Sequence, residues 1–251
     1  MSKHLTILTG HSRGMGLALA RQLLGPDSAL LGISRSQPAG LAEAARAQSC
    51  ELTEWQADLA EGAPVSRRLE DWLRGQAERP WLTVTLINNA GLIPTIAPLS
   101  RAEPEDLARA LRVGLETPMQ LCAAFLRATA QWTAQRRVLN VSSGLGRRAL
   151  ASQSGYCAAK AGMDHFTRCM ALDEARQPNG AKVCSLAPGV IATDMQAQLR
   201  GAPAQDFPDR ANFEGLHAGG QLASPEAAAQ RLLAYLARPD FGKDTVADVR
   251  G

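Results

Sequence analysis

Short apolar runs and longer stretches of helical spacing alternate from one end of the chain to the other. Residues 5–9, Leu-Thr-Ile-Leu-Thr, form an apolar run closed by Gly10, the pattern of a buried strand. From 14 to 24 the apolar residues Met15, Leu17, Leu19, Leu23 and Leu24 fall at helical spacing, and Gly25-Pro26 stops the helix. Residues 29–34 and 52–57 predict a second and a third strand, with an Ala-rich helix over 41–47 between them. A helix over 65–77, a fourth strand over 82–87 and helices over 104–112 and 115–133 follow. Residues 137–142 predict a fifth strand, and 153–176 a long helix ended by Pro178-Asn179-Gly180. A sixth strand over 183–187, a helix over 225–237 and a closing strand over 245–249 complete the pattern. Strands that alternate with helices in this way predict an α/β fold: a parallel sheet covered on both faces, three layers in all. Residues 196–221 are less regular and rich in Gly, Pro and Asp, so they could form a lid.

Composition narrows the picture. A chain of 251 residues with 45% hydrophobic residues suits one domain with a large core, and no linker, repeat or low-complexity tract divides it. An excess of 27 basic over 24 acidic residues is too small and too scattered for nucleic acid or a membrane surface. No apolar run reaches the ~18 residues that a membrane span needs. The apolar stretch after Met1-Ser2-Lys3-His4 is too short for a secretory signal. Five scattered cysteines, with no Cys-x-x-Cys and no Cys/His cluster, read as reduced thiols in a cytoplasmic protein that binds no metal.

Two regions carry candidate chemistry. Thr9-Gly10-His11-Ser12-Arg13-Gly14-Met15-Gly16 joins the first strand to the first helix. Glycines there let the backbone approach a pyrophosphate at the helix N-terminus, although such a cluster can also be a plain turn. The second strand ends in Ser34-Arg35-Ser36 with no carboxylate before Glu43. A cation flanked by hydroxyls suits the 2′-phosphate of NADP(H) better than the bare ribose of NAD(H), and Ser12 and Arg13 could add to that pocket. Solvated surface arginines are the alternative. Asp58, after the third strand, could meet the adenine amino group or cap a helix.

The second region is Tyr156 with Lys160, four residues on and therefore on the same helix face. A phenol has an ordinary pKa of about 10, and an adjacent ammonium group favours its anion, which turns the pair into a proton donor and acceptor. Ser143, upstream, could bond the same reacting oxygen. Chance pairs of this spacing are common in helices, so the pair gains its meaning from the rest of the chain.

Four blocks stand in order: residues 9–16, Asn88-Asn89-Ala90-Gly91, Ser143 with Tyr156 and Lys160, and Pro188-Gly189 followed by Thr193-Asp194-Met195. Together they resemble the short-chain dehydrogenase/reductase family over essentially the whole chain. The resemblance implies a doubly wound, Rossmann-type sheet and hydride transfer with a nicotinamide cofactor. Tyr156-Cys157-Ala158-Ala159-Lys160-Ala161 with Asp164, and 187–189 through Gln196, look like the branch of sepiapterin reductase and the bacterial benzil reductases, which reduce vicinal dicarbonyls with NADPH. By position, Tyr156 would protonate the carbonyl oxygen and Ser143 would hold it. Lys160 would bind the nicotinamide ribose and lower the phenol's pKa. Asn89, Ala90 and Gly91 would line the adenosine-ribose side, or serve sheet-end structure. Ile191 and Thr193 would meet the carboxamide, and Pro188-Gly189 would shape the turn below it. Where relatives carry an Asn whose backbone carbonyl holds a relay water, this chain has Gly114; a glycine carbonyl would keep that relay. Relatives also pair through the helices predicted at 115–133 and 153–176, which implies a homodimer or homotetramer.

Substrate would lie between the loop after Ser143 and the lid, against Leu145, Leu150, Gln153, Val190, Met195, Leu199, Phe207 and Phe213, any of which could instead be core. Arg147 and Arg148 could meet an acidic substrate but read more simply as a solvated pair. Asp248 falls where sepiapterin reductase anchors substrate, and a strand-end or interface role fits it equally. The leading expectation is an NADPH-dependent carbonyl reductase for a ketone or aldehyde, in particular a benzil- or sepiapterin-like vicinal dicarbonyl. The rivals are a dehydrogenase of the same fold for a sugar, acyl or steroid-like alcohol, and a non-catalytic NADP(H)-binding regulator. The intact Ser143, Tyr156 and Lys160 argue against the last.

Overall fold

The computed structural model describes residues 3–250. The strands are β1 (His4–Thr9), β2 (Ser28–Ser34), β3 (Glu51–Gln56), β4 (Thr83–Asn88), β5 (Gln135–Val141), β6 (Lys182–Ala187) and β7 (Val246–Asp248). They form one parallel sheet in the order β3-β2-β1-β4-β5-β6-β7. The order reverses between β1 and β4, so the fold is doubly wound, with a crevice at the carboxyl ends of those two strands.

The near-continuous apolar runs follow from burial on both faces. Leu5 and Ile7 of β1, Leu31 and Ile33 of β2 and Leu86 of β4 join one core with Val65, Leu69 and Leu73 of α3 (Gly62–Arg74) and Leu121 and Phe125 of α5 (Thr117–Ala128). Leu8, Leu30, Ile87 and Leu139 join the other. There they meet Leu19 of α1 (Gly14–Gln22), Leu41 of α2 (Leu41–Ala47), and Ala228 and Leu232 of α9 (Pro225–Leu236). Each fully buried Leu-sized side chain contributes about 1.5–3 kcal/mol. Ser224 starts α9 by accepting from the Ala227 amide, with Pro225 in the first turn.

The long helix α6 (Ser154–Glu174) is locked to the sheet at its far end. Arg136 of β5 donates to Glu174 Oε2 at 3.1 Å and to the Asn179 carbonyl at 2.9 Å, and the Ala181 amide donates to the same Glu174 oxygen at 2.7 Å. Both side chains are buried.

Two elements differ from expectation. The helices expected over 104–112 and 115–133 run together: α4 (Pro104–Leu111) passes through a π-helical turn, Arg112–Glu116, into α5. That helix ends at Ala128, because Thr129 leaves the helical basin (φ −102°, ψ 6°) and its hydroxyl bonds the Phe125 carbonyl. The segment 196–221 is more regular than expected. Most of it forms α7 (Asp194–Gly201) and α8 (Arg210–Ala218), broken only between Pro203 and Asp209. Leu199, Ala202, Phe207 and Phe213 of this segment close a small core of their own with Ile96.

Removing one partner of the buried Arg136–Glu174 pair leaves the other charge uncompensated. Glu174→Ala is therefore expected to destabilise the protein by about 3–5 kcal/mol, read as a shift of the urea midpoint. An unchanged midpoint would contradict the assignment of α6's anchor.

Candidate active site

The crevice at the β1/β4 reversal opens into a cleft of about 1140 Å³. Hydrogen bonds stitch its floor. Thr9 Oγ1 accepts from the Asn89 and Ala90 amides, both at 3.0 Å, and Asn89 Nδ2 donates to the Thr9 and Gly10 carbonyls at 3.0 and 3.2 Å. Asn89 thus holds the glycine loop while it also lines the cleft with Ala90 and Gly91. Gly10 sits at φ +71°, and a Cβ on Gly16 would lie 1.9 Å from the Gly10 carbonyl oxygen, so α1 can start this close to β1 only with glycine there. Arg13, at the N-cap, supplies no side-chain cap, and no acidic residue stands in the first turn of α1. Those amides and the dipole's positive end face the cleft beside Ser12, Gly14 and Met15, which fits a pyrophosphate. The residues present therefore fit a nicotinamide dinucleotide.

At the reacting end, α6 projects Tyr156 and Lys160 into the cleft opposite Ser143. The Ser143 hydroxyl, which accepts from the Leu145 amide at 3.2 Å, stands close enough to the Tyr156 phenol to favour its anion. Lys160 Nζ donates to the Val141 carbonyl at 2.7 Å and lies 5.8 Å from the centre of the Tyr156 ring. Burial pushes the phenol up to about 12, against the Ser143 hydroxyl, which pulls it down, and with a small upward push from Cys157. The expectation that Lys160 lowers the phenol's pKa is thereby corrected: desolvation dominates, and the ammonium group is drawn to Val141. Burial also pushes Lys160 down to about 8, while the Asp164 carboxylate works the other way.

Asp164 is the polar group that sequence reasoning passed over except as part of a resemblance. Fully buried one turn beyond Lys160, its Oδ1 accepts from Ser142 Oγ at 2.5 Å and from Ser185 Oγ at 2.6 Å. It ties the strand that delivers Ser143 to the helix that delivers Tyr156. Its Oδ2 has no partner, and a Cβ on Gly146 would lie 2.7 Å from it, so the turn after Ser143 needs glycine there. The α4–α5 π-turn places Gly114 against α6 in the same manner, with a Cβ at that position 3.0 Å from Ala159 Cβ. π-turns of this kind recur at functional sites.

The nucleotide end differs from expectation in part. Ser34 and Arg35 line the cleft, and Arg35 makes no hydrogen bond to the described residues, so its donors stay available. Ser36 is outside the cleft wall; its carbonyl accepts from Ser34 Oγ at 2.7 Å. Arg13 lines the cleft but pairs with Asp194 at the start of α7 rather than standing free. Asp58 accepts from the Ala60 amide and from Arg109, and these two bonds hold its carboxyl below the usual range. Arg109, on α4, was not anticipated. Nor was His11, whose ring is wholly buried with Nε2 2.8 Å from Glu54 Oε1. No local motif marks either residue.

Pro188, Gly189, Ile191 and Thr193 line the cleft beyond β6, as do Leu145, Val190, Met195, Leu199 and Phe213. Leu150, Gln153 and Phe207 do not. Phe207 and Leu150 belong to the α7–α8 core, and Gln153 is buried with its amide donating to the Ser152 carbonyl. Leu92, Ile93 and Val113 complete the apolar wall. Arg147 and Arg148 are both exposed, as expected of a solvated pair, but Arg147 is also tied down: it donates to the Ala247 carbonyl and reaches Asp248.

The model of the short chain dehydrogenase family matches residues 4–204. The benzil reductase ((S)-benzoin forming) of Bacillus cereus is 32% identical over 240 residues, 96% of each chain. Sepiapterin reductase of Xenopus laevis is 33% identical over 204 residues, 76% of this chain and 74% of its own. A solved structure of a short-chain dehydrogenase/reductase from Burkholderia vietnamiensis is 36% identical, covers 99% of this chain and 98% of its own, and superposes with a TM-score of 0.66.

Between the two shifted groups, only Lys160 titrates near neutrality. Its folded value is lowered, so the ammonium form is full below about 8 and lost above it. The kcat/KM for carbonyl reduction should be level on the acid side of about 8 and fall on the alkaline side. A pH profile that rises through this range would contradict the assignment.

Proposed function

The chain belongs to the short-chain dehydrogenase family and is an oxidoreductase, and on that premise we propose that it is an NADPH-dependent carbonyl reductase acting on a ketone or aldehyde, in particular a vicinal dicarbonyl. The observation that carries this reading is the buried Tyr156. A phenol pushed up to about 12 keeps its proton at neutral pH, as an acid in carbonyl reduction must. Ser143, which lines the cleft with that phenol, would donate to the same carbonyl oxygen and fix it for protonation. Lys160 keeps its charge near neutral pH and can donate to ribose hydroxyls as well as to Val141.

The cofactor, when bound, supplies the hydride. The first-turn amides of α1 would hold its pyrophosphate. Arg35, with donors free and no acidic residue at the end of β2, favours a 2′-phosphate and hence NADP(H). Asp58, already bonded to Arg109, would border the adenine. Ile191, Thr193 and the Pro188-Gly189 turn would border the nicotinamide. The segment 196–221 would act as the lid of a single domain: Gln196, Leu199 and Phe213 reach the cleft from it. Similarity to proteins named benzil reductase and sepiapterin reductase supports a vicinal dicarbonyl.

The protein would work in the cytoplasm, where its five unpaired thiols stay reduced. No helix among the described residues is long and apolar enough to cross a membrane. A homodimer or homotetramer would cover Met119 on α5 and Leu172 on α6, which are 47% and 71% exposed.

Two measurements test this reading. NADPH oxidation should proceed on vicinal diketones and sepiapterin-like pterins, at least about tenfold faster than NADH oxidation, and Tyr156→Phe should lower it by about 10²–10⁴-fold. Loss of all turnover despite NADPH binding would favour a regulator instead. Light scattering should give a mass of two or four chains, and a monomer would refute the assembly.

A further inference from the structure

Two arginines meet one carboxylate at the reacting end of the cleft, and a third lines the cleft beside them. Asp248 ends β7 beside Ala187 of β6. Arg250 grips it with two bonds, Nε to Oδ1 at 2.8 Å and Nη2 to Oδ2 at 2.7 Å. Arg147 comes from the turn after Ser143 and approaches from the other side. Its Nη2 lies 3.6 Å from Asp248 Oδ2, and its Nη1 donates to the Ala247 carbonyl at 3.3 Å. Arg148, next in the chain, lines the same cleft, is exposed, and makes no hydrogen bond or ion pair with the described residues. The cluster therefore carries a surplus of two positive charges.

Its place ties it to the chemistry. The Arg147 and Arg148 amides both donate to the Gly144 carbonyl, one residue past Ser143. The Arg250 side chain lies against the Gly189 turn, its Cδ 3.7 Å from where a Cβ on that glycine would sit. Leu145, Val190 and Met195 make the adjoining wall apolar.

A strand-end brace explains one arginine on Asp248, and Arg250 already fills that role with both carboxylate oxygens. It does not explain a second arginine turned to the same group, or a third with every donor unused. Arginine forks match a carboxylate in two parallel bonds, and an anion drawn into a partly apolar cleft needs such a partner.

We propose that the physiological substrate is an anionic carbonyl compound, an oxo acid of apolar body whose carboxylate is received by the Arg147–Arg148–Arg250 cluster while its ketone faces Tyr156. The inference rests on the carbonyl reductase reading and specifies its substrate class. In the reaction the ketone carbon gains a hydride from NADPH, its oxygen gains the Tyr156 proton, solvent reprotonates the phenolate, and the products are a hydroxy acid and NADP⁺. Asp248 in this arrangement sets the cluster's charge; it does not bind substrate itself.

The test compares phenylglyoxylate and levulinate, each with its methyl ester, in the wild type, Arg148→Glu and Asp248→Asn. In the wild type at low salt, at least one acid should exceed its ester in kcat/KM by about tenfold or more, and added salt should narrow the gap. Arg148→Glu should cut the acid-to-ester ratio about tenfold, and Asp248→Asn should raise it. Equal rates for acid and ester, or a ratio untouched by Arg148→Glu, would overturn the proposal while ester turnover upheld carbonyl reduction. If neither acid nor ester turned over, the vicinal diketones would decide the carbonyl reductase reading separately, and it would fail only if they too were inert. The dissociation constants of the NADPH-loaded protein, followed by cofactor fluorescence, would then decide the anion site by the same ratio: tighter acid binding supports it, and equal binding removes it.

Discussion

A stripe of polar side chains runs down the buried face of α6, and every one of them needs a partner in the sheet. Lys160 reaches the Val141 carbonyl, Asp164 takes the hydroxyls of Ser142 and Ser185, Thr167 meets Asn140, and Glu174 pairs with Arg136. A buried polar group without a partner costs several kcal/mol in an apolar surrounding, so these bonds fix the helix in one axial position and one rotation. Asn140 in turn accepts from Asn88 of β4, which extends the network across the sheet to the crevice. The position of Tyr156 is the consequence. The phenol cannot drift along the helix axis without breaking bonds at Lys160 and Asp164 together.

The same burial sets the chemistry. Taking Tyr156 out of water keeps its proton on, and taking Lys160 out of water brings its titration near neutrality. Opposite shifts have one cause, since low dielectric disfavours whichever form is charged. Asp164 moderates the second shift from one turn away. Three glycines let the elements approach closely enough for this: Gly16 against the Gly10 carbonyl, Gly114 against Ala159, and Gly146 against Asp164. At Gly16 and Gly146 a Cβ would fall inside contact distance, and at Gly114 it would ask Ala159 to give by a few tenths of an ångström.

Ion pairs govern the rim rather than the core of the cleft. Arg13–Asp194 joins the glycine loop to α7, Asp58–Arg109 joins the end of β3 to α4, and Arg101–Asp206 ties down the turn between α7 and α8. Arg13 and Asp194 are both mostly exposed, and such pairs contribute about 0–1 kcal/mol and weaken with salt. They orient the segment over the cleft without locking it, which suits a wall that must admit a dinucleotide. The firmer hold on that segment is its own core of Phe207, Phe213 and Leu199.

Much of this protein is legible in the chain. Strand-helix alternation gives the layers and the parallel sheet, because burial on both faces leaves an unbroken apolar run. The glycine loop, Ser143, Tyr156 and Lys160 are visible because their chemistry depends on short fixed spacings, a tight turn in one case and one helical turn in the other. Helix ends such as Thr129 and the π-turn at Gly114 were not legible, since they turn on backbone angles and on the approach of α6. The direction of the Tyr156 shift was misjudged for a related reason: a spacing of four shows the ammonium group but not the burial that outweighs it. The partners of Arg13, Arg147, His11 and Asp164 lie between 21 and 181 residues away. Local sequence determines which groups can do chemistry. Only the tertiary structure decides which of them meet, which lose their water, and so which charge each one holds.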